Sequence, residues 1–135
     1  MVWVKICGMT NLEDALAAVD AGADALGFVF AESPRRVEPA VAGQITRALE
    51  EPIEKVGVFV NETAERIGEI AEEAGLTAVQ LHGDETPEFA AGLAASGLRI
   101  FKAVPVRGGF AARMTRAHHG HIVLFGESHP ILFYG

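Results

Sequence analysis

The chain holds a single cysteine, Cys7, and it stands two residues after Lys5. In an extended segment residues two apart share a face, so ammonium and thiol lie side by side. A free thiol ionises near ~8.5, and a neighbouring cation favours the thiolate, the form that acts as base or nucleophile. In an arbitrary chain a lone cysteine is more often a small buried hydrophobe, and only its setting argues otherwise. Arg35 and Arg36 follow Ser33 and Pro34 in a loop-like stretch. A guanidinium grips a carboxylate through two parallel hydrogen bonds, so either arginine suits an acidic substrate; the plain alternative is a solvated pair. His82 shares a face with Gln80 and reads equally as a pocket residue or a satisfied structural histidine. Asp84 and Glu85 sit where carboxylates support the start of a helix. His118, His119 and His121 have no cysteine or aspartate at ligand spacing, so they read as a solvated loop and no metal is expected.

Positioning these groups falls to five short apolar runs: Val4 to Gly8, Ala25 to Phe30, Lys55 to Val60, Ala78 to Gly83 and Ile100 to Val104. Each has the length and the Val, Ile or Phe content of a strand. Helical patterns lie between them. Thr10-Asn11-Leu12-Glu13 fits a capping box, with Ala15, Leu16 and Val19 on one face and Gly22 beyond the end. Pro39 suits the first position of a second helix, with Val41, Ile45 and Leu49 buried. A third runs through Ile67, Ile70 and Ala74 to Gly75, and a fourth from Thr86-Pro87 through Phe89 and Leu93 to Gly97.

This alternation implies a parallel sheet built from βαβ units. An open doubly wound sheet and a barrel both fit. Central strands of an open sheet read apolar on both faces, whereas here Lys5 and Cys7, and Gln80 and His82, mark one polar face. Lys102 opposes Phe101 and Ala103; with Gln80 and Asn61 it reads as a lumen residue that packs or hydrogen-bonds, and Phe59 reads as lumen-facing. Polar groups gathered toward strand C-termini suit a barrel with its site at that end. No Gly-x-Gly-x-x-Gly follows any strand, so a dinucleotide site has no support.

Composition narrows the setting. The chain has 135 residues, half of them apolar, and a formal net charge of −7. That is one domain with a core of its own, and no apolar run approaches the ~18 residues of a membrane span. No secretory signal is visible at the N-terminus, one cysteine rules out an intrachain disulfide, and the expected location is cytoplasmic. The acidic balance argues against nucleic acid as a partner, and no membrane association is expected. Charge is uneven, however. Residues 1–104 carry 17 Asp and Glu against 8 Lys and Arg, a net of −9, while residues 105–135 carry Glu127 against three Arg, a net of +2, and four of the five His.

Val4-Lys5-Ile6-Cys7-Gly8-Met9-Thr10 and Gly22-Ala23-Asp24-Ala25-Leu26-Gly27-Phe28-Val29-Phe30 closely resemble the phosphoribosylanthranilate isomerases. Ser33-Pro34-Arg35-Arg36, Val56-Gly57-Val58-Phe59-Val60-Asn61 and Val79-Gln80-Leu81-His82-Gly83-Asp84-Glu85 continue the match in order, over residues 2 to about 106. The resemblance implies an α/β fold, a parallel (β/α) barrel of the TIM type, here truncated to about five or six strands. It implies an isomerase of tryptophan biosynthesis that needs no cofactor. Its reaction is the Amadori rearrangement of N-(5-phosphoribosyl)anthranilate, a phosphorylated sugar-anthranilate substrate, to 1-(2-carboxyphenylamino)-1-deoxyribulose 5-phosphate. On the matching positions, Cys7 is the general base, Lys5 supports it, and Arg36 holds the anthranilate carboxylate. Arg35 is the weaker candidate, and His82 lines the substrate pocket.

The resemblance also implies a general acid, an aspartate ending the sixth strand, and a phosphate site in the loops after strands seven and eight. No aspartate follows Asp84, and Glu127 is the only carboxylate beyond Glu88. Residues 1–104 are therefore expected to form a partial barrel, and residues 105–135 a divergent tail in which His121 to Phe125 is a candidate sixth strand. Ile131 to Tyr134 is a further short apolar run. Three origins fit the break: a family member with a divergent end, translation in a shifted reading frame, or a replacement with its own role. The alternative function is a non-catalytic partial barrel lacking the acid and the phosphate site. An incomplete barrel has two sheet edges, so a homodimer through those edges is expected.

Overall fold

The computed structural model describes residues 3–103, 124–126 and 129–132. Five strands alternate with four helices: β1 (Lys5–Cys7), α1 (Leu12–Asp20), β2 (Ala25–Val29), α2 (Pro39–Ala48), β3 (Glu54–Phe59), α3 (Ala64–Ala74), β4 (Ala78–Leu81), α4 (Pro87–Ala94) and β5 (Arg99–Lys102). All strand pairs are parallel, and the sheet order is β1-β2-β3-β4-β5. A doubly wound sheet must reverse its order to place helices on both faces. This order never reverses, which is the barrel pattern.

Two separate apolar clusters mark the two faces. On one, Leu26, Phe28, Phe59, Val79, Leu81 and Ile100 pack with buried residues from all four helices. On the other, Ala25, Val56, Ala78 and Phe101 pack with the half-buried Trp3, whose ring lies 5.7 Å from that of Phe101. The second face is the lumen. Small side chains there leave room for Trp3 and Phe101 to fill its lower end.

The helix ends follow their sequences, with one shift. Asn11, not Thr10, caps α1: its side chain accepts from Asp14 N at 2.8 Å and donates to the Asp14 carboxylate at 2.9 Å. Thr63 and Thr86 cap α3 and α4, and Pro39 and Pro87 stand in the first turns of α2 and α4. Gly75 ends α3 in the left-handed conformation.

Four expected positions are displaced. Leu16 and Val41 are exposed, at 48% and 39%. The helices instead bury Ala15 and Ala18, and Ala42, Gly43, Ile45 and Thr46. Small residues win because the helices pack closely: a Cβ on Gly43 would stand 2.4 Å from Glu73 O, and Thr46 Oγ1 donates to Ala74 O at 2.7 Å. Phe59 belongs to the helix side, stacked on Phe30, where Gly57 leaves the space. Lys102 shares that side, since its register partner is Leu81 and the alternate Phe101 takes the lumen.

Two further strands, β6 (Leu124–Gly126) and β7 (His129–Leu132), pair antiparallel in a sheet of their own. The described part of the candidate sixth strand thus pairs with β7 and not with β5. Residues 121–123 and 133–134, with His118, His119, His121 and Glu127, lie outside the described residues.

Candidate active site

The C-terminal ends of parallel barrel strands are where chemistry collects, because the following loops open there. Cys7 ends β1, half-buried on the lumen face. Lys5 Nζ lies 3.7 Å from Cys7 Sγ and also donates to Gln80 Oε1 on β4. Gln80 is buried, and its Nε2 meets His82 Nδ1 at 3.1 Å. Thiol, ammonium, amide and imidazole therefore form one polar row above the apolar floor of Trp3 and Phe101. Burial pulls the Lys5 ammonium below its ordinary value of 10.5, with Cys7 acting in the opposite sense by charge and hydrogen bond.

Space for the thiol comes from Gly27, the register partner of Cys7. A Cβ on Gly27 would stand 2.6 Å from Sγ. Gly8 and Met9 donate their N–H groups to Gly27 O at 2.9 and 3.0 Å, holding the turn that follows Cys7. Gly8 has φ +92 and lies under the Arg35 side chain, whose Nη1 donates to Cys7 O at 3.3 Å. Arg35 thus packs on the backbone of the cysteine turn. Arg36 is exposed in the segment after β2, placed by Val37 N donating to Val29 O and by its own N–H donating to Ser33 O. His82 is exposed just beyond the end of β4. The structure brings Lys5, Cys7, Gln80, His82 and Arg35 together, with Arg36 at the same end of the sheet.

The loops after β3 and β4 are clasped from the helix side. Glu85, its side chain only 3% exposed, pairs with Lys102 at 2.9 Å and accepts from Asn61 N and Gly83 N, each at 2.8 Å. Lys102 Nζ also donates to Gly83 O, and Asn61, at φ 49, accepts from Asp84 N through its side chain. Burial works to raise the Glu85 carboxyl, but the Lys102 hydrogen bond and the backbone donors outweigh it and hold the group below 4.5. A lowered folded value means that the clasp contributes fully above that pH and is lost as pH falls through the folded value. Lys102→Met is expected to cost about 3 kcal/mol in urea unfolding, because it leaves a buried carboxylate without its cation. Adding Glu85→Gln should recover part of that loss. A Lys102→Met cost below about 1 kcal/mol, or no recovery in the double variant, refutes the clasp.

Sequence reasoning placed Glu85 at a helix start and missed its partner, because Lys102 was given the wrong face. Gln80 carried the available signal: an amide at the centre of a parallel strand must find partners or pay for its desolvation. Gly27 carried none, since its role depends on the neighbouring strand's register. A cleft of about 430 Å³ lined by Leu16, Val19, Leu49 and Glu50 lies between the C-terminal ends of α1 and α2. Those helix ends lead into the N-terminal ends of strands, so the cleft is at the end of the sheet away from Cys7. No helix among the described residues is long and apolar enough to cross a membrane.

Comparison with known proteins agrees with this geometry. The family model described as N-(5'-phosphoribosyl)anthranilate (PRA) isomerase matches residues 4–129. The isomerase of Pelobacter propionicus is 56% identical over 108 residues, covering 79% of this chain and 50% of the relative. That of Syntrophomonas wolfei is 43% identical over 135 residues, all of this chain and 65% of the relative. A crystal structure of PRA isomerase in complex with reduced 1-(o-carboxyphenylamino)-1-deoxyribulose 5-phosphate superposes with a TM-score of 0.76 at 49% identity, covering 79% of this chain and 55% of that one. The chain thus spans between about half and two thirds of the length of these relatives. With a family model that runs over most of its length and a solved relative that superposes on its described fold, the chain belongs to the N-(5'-phosphoribosyl)anthranilate isomerase family.

Proposed function

We propose that this chain carries the base-bearing half of an active site for the Amadori rearrangement of N-(5-phosphoribosyl)anthranilate to 1-(2-carboxyphenylamino)-1-deoxyribulose 5-phosphate. A general acid must protonate the furanose ring oxygen so that the ring opens, leaving a C1′ iminium. A base then removes the C2′ proton, and the resulting enolamine tautomerises to the amino-ketone. Cys7 is the base. Arg36 holds the anthranilate carboxylate, His82 lines the pocket, and Arg35 steadies the Cys7 turn from the substrate side. The rearrangement is redox-neutral within one substrate, so the reading assigns no cofactor.

The observation that carries this reading is the Lys5 ammonium 3.7 Å from the sole thiol, at the C-terminal end of a barrel strand. A thiol that serves as a base works as its thiolate, and an ammonium in contact is the partner that form calls for. The complex of a solved relative with a reduced phosphorylated product analogue supports the substrate class. A lone thiol base needs reducing surroundings, which supports a cytoplasmic location. Product formation from the purified substrate tests the reading; turnover that survives Cys7→Ala undiminished overturns it.

Association belongs to the same proposal. Among the described residues β1 pairs only with β2, and β5 only with β4. Each edge offers backbone donors and acceptors to another strand, and a two-fold pair of chains is the simplest closed arrangement. Sedimentation equilibrium at micromolar concentration should give a dimer. A compact 14.3 kDa monomer with cooperative unfolding would exclude it.

A further inference from the structure

We propose that Gln80 is a positioning residue for the Cys7 base: it holds the Lys5 ammonium beside the thiol, and the other end of its amide is taken up by His82. The inference rests on Cys7 being the base. Gln80 is 4% exposed on the lumen face of β4, and no buried polar side-chain atom among the described residues is left without a partner. An amide at such a site is costly unless both of its ends are used.

The donor inventory decides which way it points. An ammonium only donates, so the amide oxygen must face Lys5, as Oε1 does. The amide nitrogen then faces His82 and donates, at 3.1 Å, to Nδ1. Nδ1 must accept, which puts the imidazole proton on Nε2. If the His82 proton sat on Nδ1, the amide would have to flip and turn its N–H₂ toward the Lys5 ammonium. That arrangement is repulsive and removes the acceptor. The His82 tautomer and the amide orientation are therefore coupled: Gln80 keeps its oxygen on Lys5 while Nδ1 accepts, and Lys5 stands beside the thiol across 3.7 Å.

Because Cys7 is the only cysteine, alkylation by iodoacetamide reads this site alone. The rate rises with pH to a plateau: the plateau reports access, and the midpoint reports thiolate formation. Gln80→Met keeps the side-chain length and removes both hydrogen-bonding ends. Alkylation at pH 7 should slow roughly threefold to tenfold through a higher midpoint with an unchanged plateau. Lys5→Met should do the same, and Lys5→Met/Gln80→Met should be no slower than Lys5→Met alone, since Gln80 acts through Lys5. An unmoved midpoint in Gln80→Met, a change confined to the plateau, or additive losses in the double variant would overturn the proposal. Should Gln80→Met fail to melt cooperatively, the ¹⁵N shifts of His82 in the unaltered chain decide. A proton on Nε2 supports the proposal, and one on Nδ1 overturns it. None of these measurements uses turnover, so failure of the isomerase reading would leave the comparison intact.

Discussion

Assayed beside a complete relative, the 135-residue chain by itself is expected to convert N-(5-phosphoribosyl)anthranilate with a kcat/KM lower by at least about 10³-fold. Ring opening needs a positioned acid, and a general acid typically contributes ~10²–10⁴-fold. Within these 135 residues no aspartate follows Asp84, so the acid that the resemblance implies has no aspartate counterpart among them. Binding energy from a substrate phosphate, which would otherwise help orient the reacting carbons, depends on loops after later strands. The described sheet brings together the groups proposed for the base end of the site: Cys7, Lys5 and the arginine loop. A kcat/KM within tenfold of the complete enzyme would refute this expectation. Glu127→Gln would then show whether that carboxylate serves as the acid.

The turnover that remains should depend on Cys7. Cys7→Ala is expected to lower kcat by ~10²–10⁴-fold, the usual contribution of a positioned base. Cys7→Ser should lose less, since its hydroxyl still reaches toward Lys5. Neither change should alter the fold. Cys7 is small and half-buried, and the space around it is set by Gly27, which both variants retain. Circular dichroism checks that point. An unchanged kcat in Cys7→Ala would remove the base assignment, and with it the functional reading of the Lys5 contact.

Much of the architecture was legible residue by residue. Each of the five apolar runs became a strand, within one residue at its start and up to two at its end, and Pro39, Thr86, Pro87 and Gly75 stand at the helix boundaries they imply. Such signals are local: a cap, a fixed φ or a β-branched run acts on its own neighbours. The choice of a barrel over a doubly wound sheet was legible too, because Lys5 with Cys7 and Gln80 with His82 mark one polar face.

Burial within the helices was less legible. Leu16 and Val41 outrank alanine on any hydropathy scale, yet Ala15, Ala18, Ala42 and Gly43 take the interior. Side-chain size at a close helix contact decides that, and the partner surface is not encoded in the helix's own periodicity. The capping box shifted by one residue for a similar reason, since both Thr10 and Asn11 are good caps and geometry selected Asn11.

By itself the sequence determined the chemical inventory: one thiol, an ammonium two residues before it, an arginine pair after the second strand, and a family membership carried by those motifs. Tertiary structure alone decided who meets whom. Lys5 meets Gln80 from 75 residues away, Gly27 makes room for Sγ, Arg35 crosses Gly8, and Lys102 reaches Glu85 on the helix side. The physical reason is register. Strand pairing fixes which residues of distant segments stand side by side, and one residue's slip would send a strand's side chains, Lys5, Gln80 or Lys102 among them, to the opposite face.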